Sequence, residues 1–177
     1  MSTILGSRTL RFVDLKNEPD SYRVDIPLVV IGDGGKYKEK VKNFITNNHL
    51  ENKVIFLSEH FKNESFISAK DFPAIYQSAV AMIYPSIFEG FGIPVLEALF
   101  SMLPVITSNI SSLPEAGGNN SYYIDPNTPD EIAEGMKKIY YDYDFTNAMK
   151  EKGWHHAQNF TTAKCASSVM DVYKSIW

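Results

Sequence analysis

Short runs of consecutive apolar residues, rich in valine and isoleucine, alternate along this chain with stretches whose apolar positions recur at helical spacing. Pro27-Leu-Val-Val-Ile31, Val54 to Leu57, Ala79 to Tyr84, Pro104-Val-Ile-Thr107 and Tyr122 to Ile124 are of the first kind, and Thr3 to Leu5 is a fainter one. An unbroken apolar run of this length fits a strand buried on both faces. Between the runs, Tyr37 to Asn47 carries Val41, Phe44 and Ile45 at helical spacing. Phe72 to Ser78 and Pro94 to Ser101 predict two more helices, and Ser111-Ser-Leu-Pro-Glu115 starts a brief turn or helix. Residues 7–25 have no clean period and are expected to be mostly loop.

After Ile124 the alternation stops. Thr128-Pro129-Asp130-Glu131 has the form of a capping box with proline at the first helical position. Ile132, Met136 and Ile139 follow on one face, and 145–159 and 161–176 predict two further helices, the last with Val169, Val172, Tyr173 and Ile176 on its stripe. Strands and helices in alternation, joined by short loops, imply a parallel sheet covered on both faces. The expected fold is a doubly wound α/β parallel sheet with C-terminal helices. No repeat, low-complexity tract or linker divides residues 1–177, so a single domain is expected.

Such a sheet binds ligands at the carboxyl ends of its strands. The loops on that edge are 6–25, 32–36, 58–70, 85–93 and 108–114, and four of the five are rich in glycine, serine or charge. The most informative is Ser86-Ile-Phe-Glu-Gly-Phe-Gly-Ile-Pro-Val-Leu-Glu-Ala98, a strand–loop–helix joint. Gly90 and Gly92 would let backbone approach a ligand closely. The helix start behind them offers unpaired N–H groups to a phosphate. Glu89 and Glu97 are acceptors suited to sugar hydroxyls. A diphosphate joined to a polyhydroxyl group is the ligand these residue types fit.

Each residue also has a plainer reading. Glu89 alone could be a solvated loop carboxylate, and Glu97 a carboxylate favoured near a helix N-terminus. Gly32-Asp-Gly-Gly35 could simply close a strand, and Arg8 and Lys16 in isolation are surface charges. Phe91 could anchor a small core while its N–H faces a ligand. His49, His60, His155 and His156 lack a carboxylate or cysteine partner at useful spacing and read as surface residues. Tyr140, Tyr141, Tyr143, Phe145 and Trp154 read as packing.

A formal net charge of −4 argues against a general nucleic-acid binder, which would show a basic patch. The single Cys165 excludes an intramolecular disulfide, and no cysteine–histidine cluster has zinc spacing. No apolar run approaches the roughly 18 residues of a membrane span. The N-terminus lacks the basic and apolar regions of a signal peptide, which makes Asn109-Ile110-Ser111 a chance sequon. A cytoplasmic, reduced domain is expected.

The series PSIFEGFGIPVLEA, LPVITSNISSLPEAGG and YYIDPNTPDEIAEGM closely resembles the C-terminal half of the retaining GT-B glycosyltransferases of the "group 1" family, from about Pro27 to the C-terminus. The resemblance implies a Rossmann-like half of a GT-B fold that binds a nucleotide-diphosphate sugar. It implies that Glu89 accepts hydrogen bonds from the donor sugar and Glu97 from the ribose. Gly90, Phe91 and Gly92 would lie along the sugar and diphosphate, and Gly32 to Gly34 would match the family's glycine loop. The family's basic pair, which neutralises the departing diphosphate, would fall on Arg8 and Lys16, with Arg11 as an alternative. No cofactor and no metal are implied. The stretch from Gly6 to Asp25 is shorter and less regular than the family's strand–basic loop–helix. An N-terminal acceptor domain, absent here, would complete the cleft and could carry any attachment to the inner membrane. The partners implied are the donor, that domain, and a glycan or lipid acceptor. Two other readings remain: half of a GT-B-fold sugar 2-epimerase, and a non-catalytic nucleotide-sugar-binding module.

Overall fold

A computed structural model of the chain describes residues 2–5, 24, 26–32, 35–60 and 70–177. Its strands are β1 (Ser2–Leu5), β2 (Leu28–Val30), β3 (Val54–Phe56), β4 (Ala79–Tyr84), β5 (Val105–Ser108) and β6 (Tyr122–Ile124). They form one sheet in the order β3-β2-β1-β4-β5-β6, with every neighbouring pair parallel. The winding runs outward from β1 to β3, returns to place β4 beside β1, and then runs outward the other way. The reversal between β1 and β4 is the point where such a sheet opens a crevice beyond its carboxyl edge.

The helices are α1 (Lys36–Asn47), α2 (Leu57–His60), α3 (Phe72–Ser78), α4 (Ile93–Phe100), α5 (Leu113–Gly117), α6 (Pro129–Tyr141), α7 (Tyr143–Ala157) and α8 (Thr162–Ile176). Strand alternation sorts the core into two layers. Met82 and Val105 point to one face, where Tyr76, Val95, Leu99, Leu103 and Leu113 close over them. Ala81, Ile83 and Ile106 point to the other, under Ile132, Ile139 and Met149. A third cluster ties α1 to the sheet through Val41 and Ile45 against Val30, Val54 and Phe56. β5 is fully dry: Val105, Ile106 and Thr107 are 0% exposed.

Four expectations need correction. The loop after β3 begins with the short helix α2, which takes Leu57 out of the strand; residues 61–69 lie outside the described residues. The capping box does not form. Thr128 makes no side-chain cap, and Glu131 Oε2 instead accepts the Asp125 N–H at 2.7 Å. A turn held by Asp125 Oδ1 on the Asn127 N–H (2.8 Å) puts that donor within reach of Glu131 first. α7 starts two residues earlier than 145, because Asp142 caps it by accepting the Phe145 N–H at 3.0 Å. Last, His156 is a packing residue. Its ring lies against Phe160, its Nε2 is 3.0 Å from the Glu115 carbonyl, and a Cβ on Gly118 would sit 2.6 Å from its Nδ1.

The stripe expected on the last helix exists but is uncovered by the described residues. Val169, Val172, Tyr173 and Ile176 of α8 are all more than half exposed. Among the described residues, no helix is long and apolar enough to cross a membrane.

Candidate functional site

β4 ends at Tyr84, Pro85 prevents the strand from continuing in a ladder, and the chain then crosses the carboxyl edge of the sheet to α4. Gly92 starts that helix from a left-handed backbone (φ 100°) with no side-chain cap. A Cβ there would lie 3.0 Å from Ala116 Cβ and 3.2 Å from Leu113 Cδ2, so α4 and α5 pack directly across this glycine. Gly90 differs. Its backbone needs no left-handed φ, and a Cβ would meet nothing within 4 Å. The fold requires Gly92, whereas nothing described in the chain requires Gly90.

The first turn of α4 is poor in donors, since Pro94 has no N–H and the N–H groups of Val95 and Leu96 already reach the Gly92 carbonyl at 3.0 and 3.3 Å. The N–H groups of Gly90, Phe91, Gly92 and Ile93 make no hydrogen bond with a described residue. The donors available to an anion therefore lie in the loop and at the first helical residue rather than deeper in the helix. Phe91 is 38% exposed and meets Phe160 edge-on at 5.7 Å, so its ring anchors the loop only on one side.

Glu89 is half-buried and held at both ends. Its Oε1 accepts from Tyr84 Oη at 2.7 Å and from Ser86 Oγ at 2.8 Å. Its carbonyl accepts from Ser111 Oγ at 2.7 Å and Ser112 Oγ at 2.9 Å, which brings the loop after β5 against the loop after β4. Ser111 does this from a left-handed φ of 56°, a costly conformation for a residue with a Cβ. Glu97 stands exposed one turn into α4, its Oε2 accepting from Tyr76 Oη at 3.2 Å. Tyr76 is buried, and that burial, followed by the Glu97 charge, raises its phenol well above the ordinary value; a smaller contribution comes from Tyr84. The two tyrosines thus stand close together on the same face of the sheet, one beneath each glutamate. For each carboxylate, the second oxygen meets no described donor.

Tyr76, Tyr84, Ser86, Ser111 and Ser112 were not singled out from the sequence. The only local signal was the Ser86-x-x-Glu89 spacing; the two later serines are 22 and 23 residues away from Glu89. Arg8, Lys16, Arg11 and Gly34 lie outside the described residues. Gly32 follows β2 with φ 115°, a backbone that favours glycine. Beyond it, Lys38 and Lys42 of α1 both reach Glu59 Oε1 of α2, at 3.0 and 2.6 Å, and hold that carboxyl below its usual range, Lys42 most strongly. A cavity of about 500 Å³ also opens at the carboxyl ends of β5 and β6, beside Asn109, Asp125 and Glu131, but neither Glu89 nor Glu97 borders it.

A family model described as "Glycosyl transferases group 1" matches residues 12–156. The O-antigen chain mannosyltransferase B of Escherichia coli is 28% identical over 156 residues, which is 88% of this chain and 39% of that protein. Among solved structures, Anabaena HepE in complex with UDP and glucose aligns with a TM-score of 0.77 at 19% identity, over 98% of this chain and 48% of the other. The C-terminal domain of a glycosyl transferase group 1 family protein (LpcC) from Francisella tularensis aligns at 0.71 and 20% identity, over 90% of this chain and 85% of that domain. At those identities the two structures speak for the fold. The chain spans 39% and 48% of the mannosyltransferase and of HepE, and 85% of the isolated C-terminal domain.

Proposed function

The chain belongs to the group 1 glycosyl transferase family, and on that footing we propose that it is the donor-binding domain of a retaining enzyme that moves a hexose from a nucleotide sugar to a glycan or lipid. Glu89 receives hydroxyls of the sugar, Glu97 the ribose hydroxyls, and the N–H groups of Gly90 to Ile93, which no described residue pairs, the diphosphate between them. Arg8 and Lys16 neutralise the diphosphate as it departs, so no divalent metal is needed. The rest of the enzyme, an N-terminal acceptor domain, closes over the carboxyl edge of the sheet; the stripe of α8, uncovered by the described residues, gives it a surface to rest on.

One observation carries this reading. Two carboxylates bracket a glycine loop at the reversal between β1 and β4, each anchored through one oxygen to a tyrosine hydroxyl. Anchoring leaves the other oxygen of each to a ligand, and the N–H groups that no described residue pairs lie between them in sequence. The transferase names of the relatives favour group transfer over the 2-epimerase alternative. With half the cleft in hand, the isolated chain should bind donor but turn it over negligibly.

The test is calorimetric titration of the 177-residue chain with UDP, GDP, UDP-glucose and GDP-mannose, with and without EDTA. Binding of at least one nucleotide sugar, unchanged by EDTA, is the expected result. No binding of any of the four, or turnover by the chain alone, would contradict the reading. Retention is checked on the whole enzyme, by the anomeric configuration of the product in NMR.

A further inference from the structure

Glu89 is unusual among the carboxylates of this site in that two separate hydroxyls converge on one of its oxygens. Tyr84, the last residue of β4, reaches Oε1 at 2.7 Å across the turn at Pro85. Ser86, buried beside it at 7% exposure, reaches the same atom at 2.8 Å. The Ser86 hydroxyl also lies 3.1 Å from the Phe88 carbonyl, the longer of its two contacts, so its single proton goes to the carboxylate at the better distance. Tyr84 is itself fixed, because strand alternation packs its ring on the Met82 face and Thr107 Oγ1 donates to its carbonyl at 2.9 Å. A carboxylate on an exposed loop would otherwise sample several rotamers, and ordering such a side chain on binding costs affinity.

We propose that Tyr84 and Ser86 are positioning residues for sugar recognition: by occupying Glu89 Oε1 together they fix the carboxylate before the donor arrives and leave Oε2 as the acceptor for a sugar hydroxyl. The inference rests on the donor-site reading above, and it goes further by dividing the site in two. The hydroxyl pair acts on the sugar half alone, and nucleotide recognition through Glu97 and Tyr76 is independent of it.

Tyr84→Phe and Ser86→Ala each remove one donor with little change in shape. For each variant, affinity is measured for the sugar-free nucleotide and for whichever of UDP-glucose or GDP-mannose binds the wild-type chain, alongside thermal melting. The expected outcome is a nucleotide affinity within twofold of wild type and a nucleotide-sugar affinity weaker by about three- to tenfold, the cost of ordering one long side chain on binding. A purely structural role would weaken both ligands equally, and that result would overturn the proposal, as would unchanged ratios in both variants. Should one variant fail to fold, the other carries the comparison. A wild type that binds no nucleotide at all would remove the donor site and this proposal with it. A wild type that binds both ligands while the variants leave the ratio intact would remove the proposal alone.

Discussion

Gly90 and Gly92 stand two residues apart in one loop; the fold needs Gly92, the proposed donor site needs Gly90, and a pair of alanine substitutions separates the two. In Gly92→Ala the new Cβ meets Ala116 Cβ at 3.0 Å and Leu113 Cδ2 at 3.2 Å, from a backbone at φ 100°. Ala116 has no rotamer to escape through, and Leu113 is 0% exposed, so α5 must shift. The left-handed backbone costs about 1–2 kcal/mol for a residue with a Cβ, and overpacking of this kind about 1–3 kcal/mol more. For a chain of this size that predicts a melting temperature lower by roughly 5–15 °C. Gly90→Ala puts its Cβ into open space. Its restriction of the unfolded chain contributes about 0.4–1 kcal/mol of stability, so the melting temperature stays level or rises slightly. The same methyl stands where the nucleotide sugar is proposed to lie, and binding should weaken by about tenfold or more. Differential scanning calorimetry and titration of both variants measure the two effects. Equal destabilisation by both substitutions, or a Gly90→Ala variant that binds donor like the wild type, would refute the division of labour.

Other outcomes follow from the same contacts. His156→Ala removes the ring that packs on Phe160 and abandons the Glu115 carbonyl, and should cost about 1–3 kcal/mol in denaturant unfolding. Gly118→Ala, at φ 58° with the imidazole 2.6 Å away, should be at least as damaging, and a silent Gly118→Ala would mean that this packing is wrong. Tyr76 has a raised phenol pKa, so its contribution is fully present below about pH 10, where the unfolded tyrosine ionises, and is lost above it as the unfolded form alone gives up its proton. Tyr76→Phe should therefore flatten the alkaline unfolding profile, and an unchanged slope between pH 9 and pH 12 would count against the burial of that hydroxyl.

Much of this architecture was legible in the chain. Runs such as Pro27 to Ile31 and Pro104 to Thr107 are apolar because both faces of their strands are covered, so the parallel sheet is readable from the chain itself. The place of the glycine loop was legible for the same reason, since a loop between β4 and α4 had to fall on the carboxyl edge. Its internal wiring was not. Ser111 and Ser112 bind the Glu89 carbonyl from more than twenty residues away, and periodicity carries no information about such contacts. Tyr84 could be assigned to a face by alternation, but its reach around Pro85 depends on the turn geometry. The capping box failed because a local turn supplied Glu131 with a nearer donor than the helix start did. His156 was misjudged because its partners, Glu115, Gly118 and Phe160, come from elements that sequence spacing does not bring together.

Glu89 and Glu97 are proposed to serve different parts of one ligand. The direct measurement is a crossed titration of the wild type, Glu89→Ala and Glu97→Ala with a nucleoside diphosphate and the matching nucleotide sugar. Loss of Glu97 should weaken both ligands together, by about tenfold to a hundredfold for hydrogen bonds to a charged group. Loss of Glu89 should weaken the nucleotide sugar and leave the bare nucleotide unchanged. A Glu97→Ala chain that binds nucleotide like the wild type, or a Glu89→Ala chain that loses both ligands equally, would contradict it.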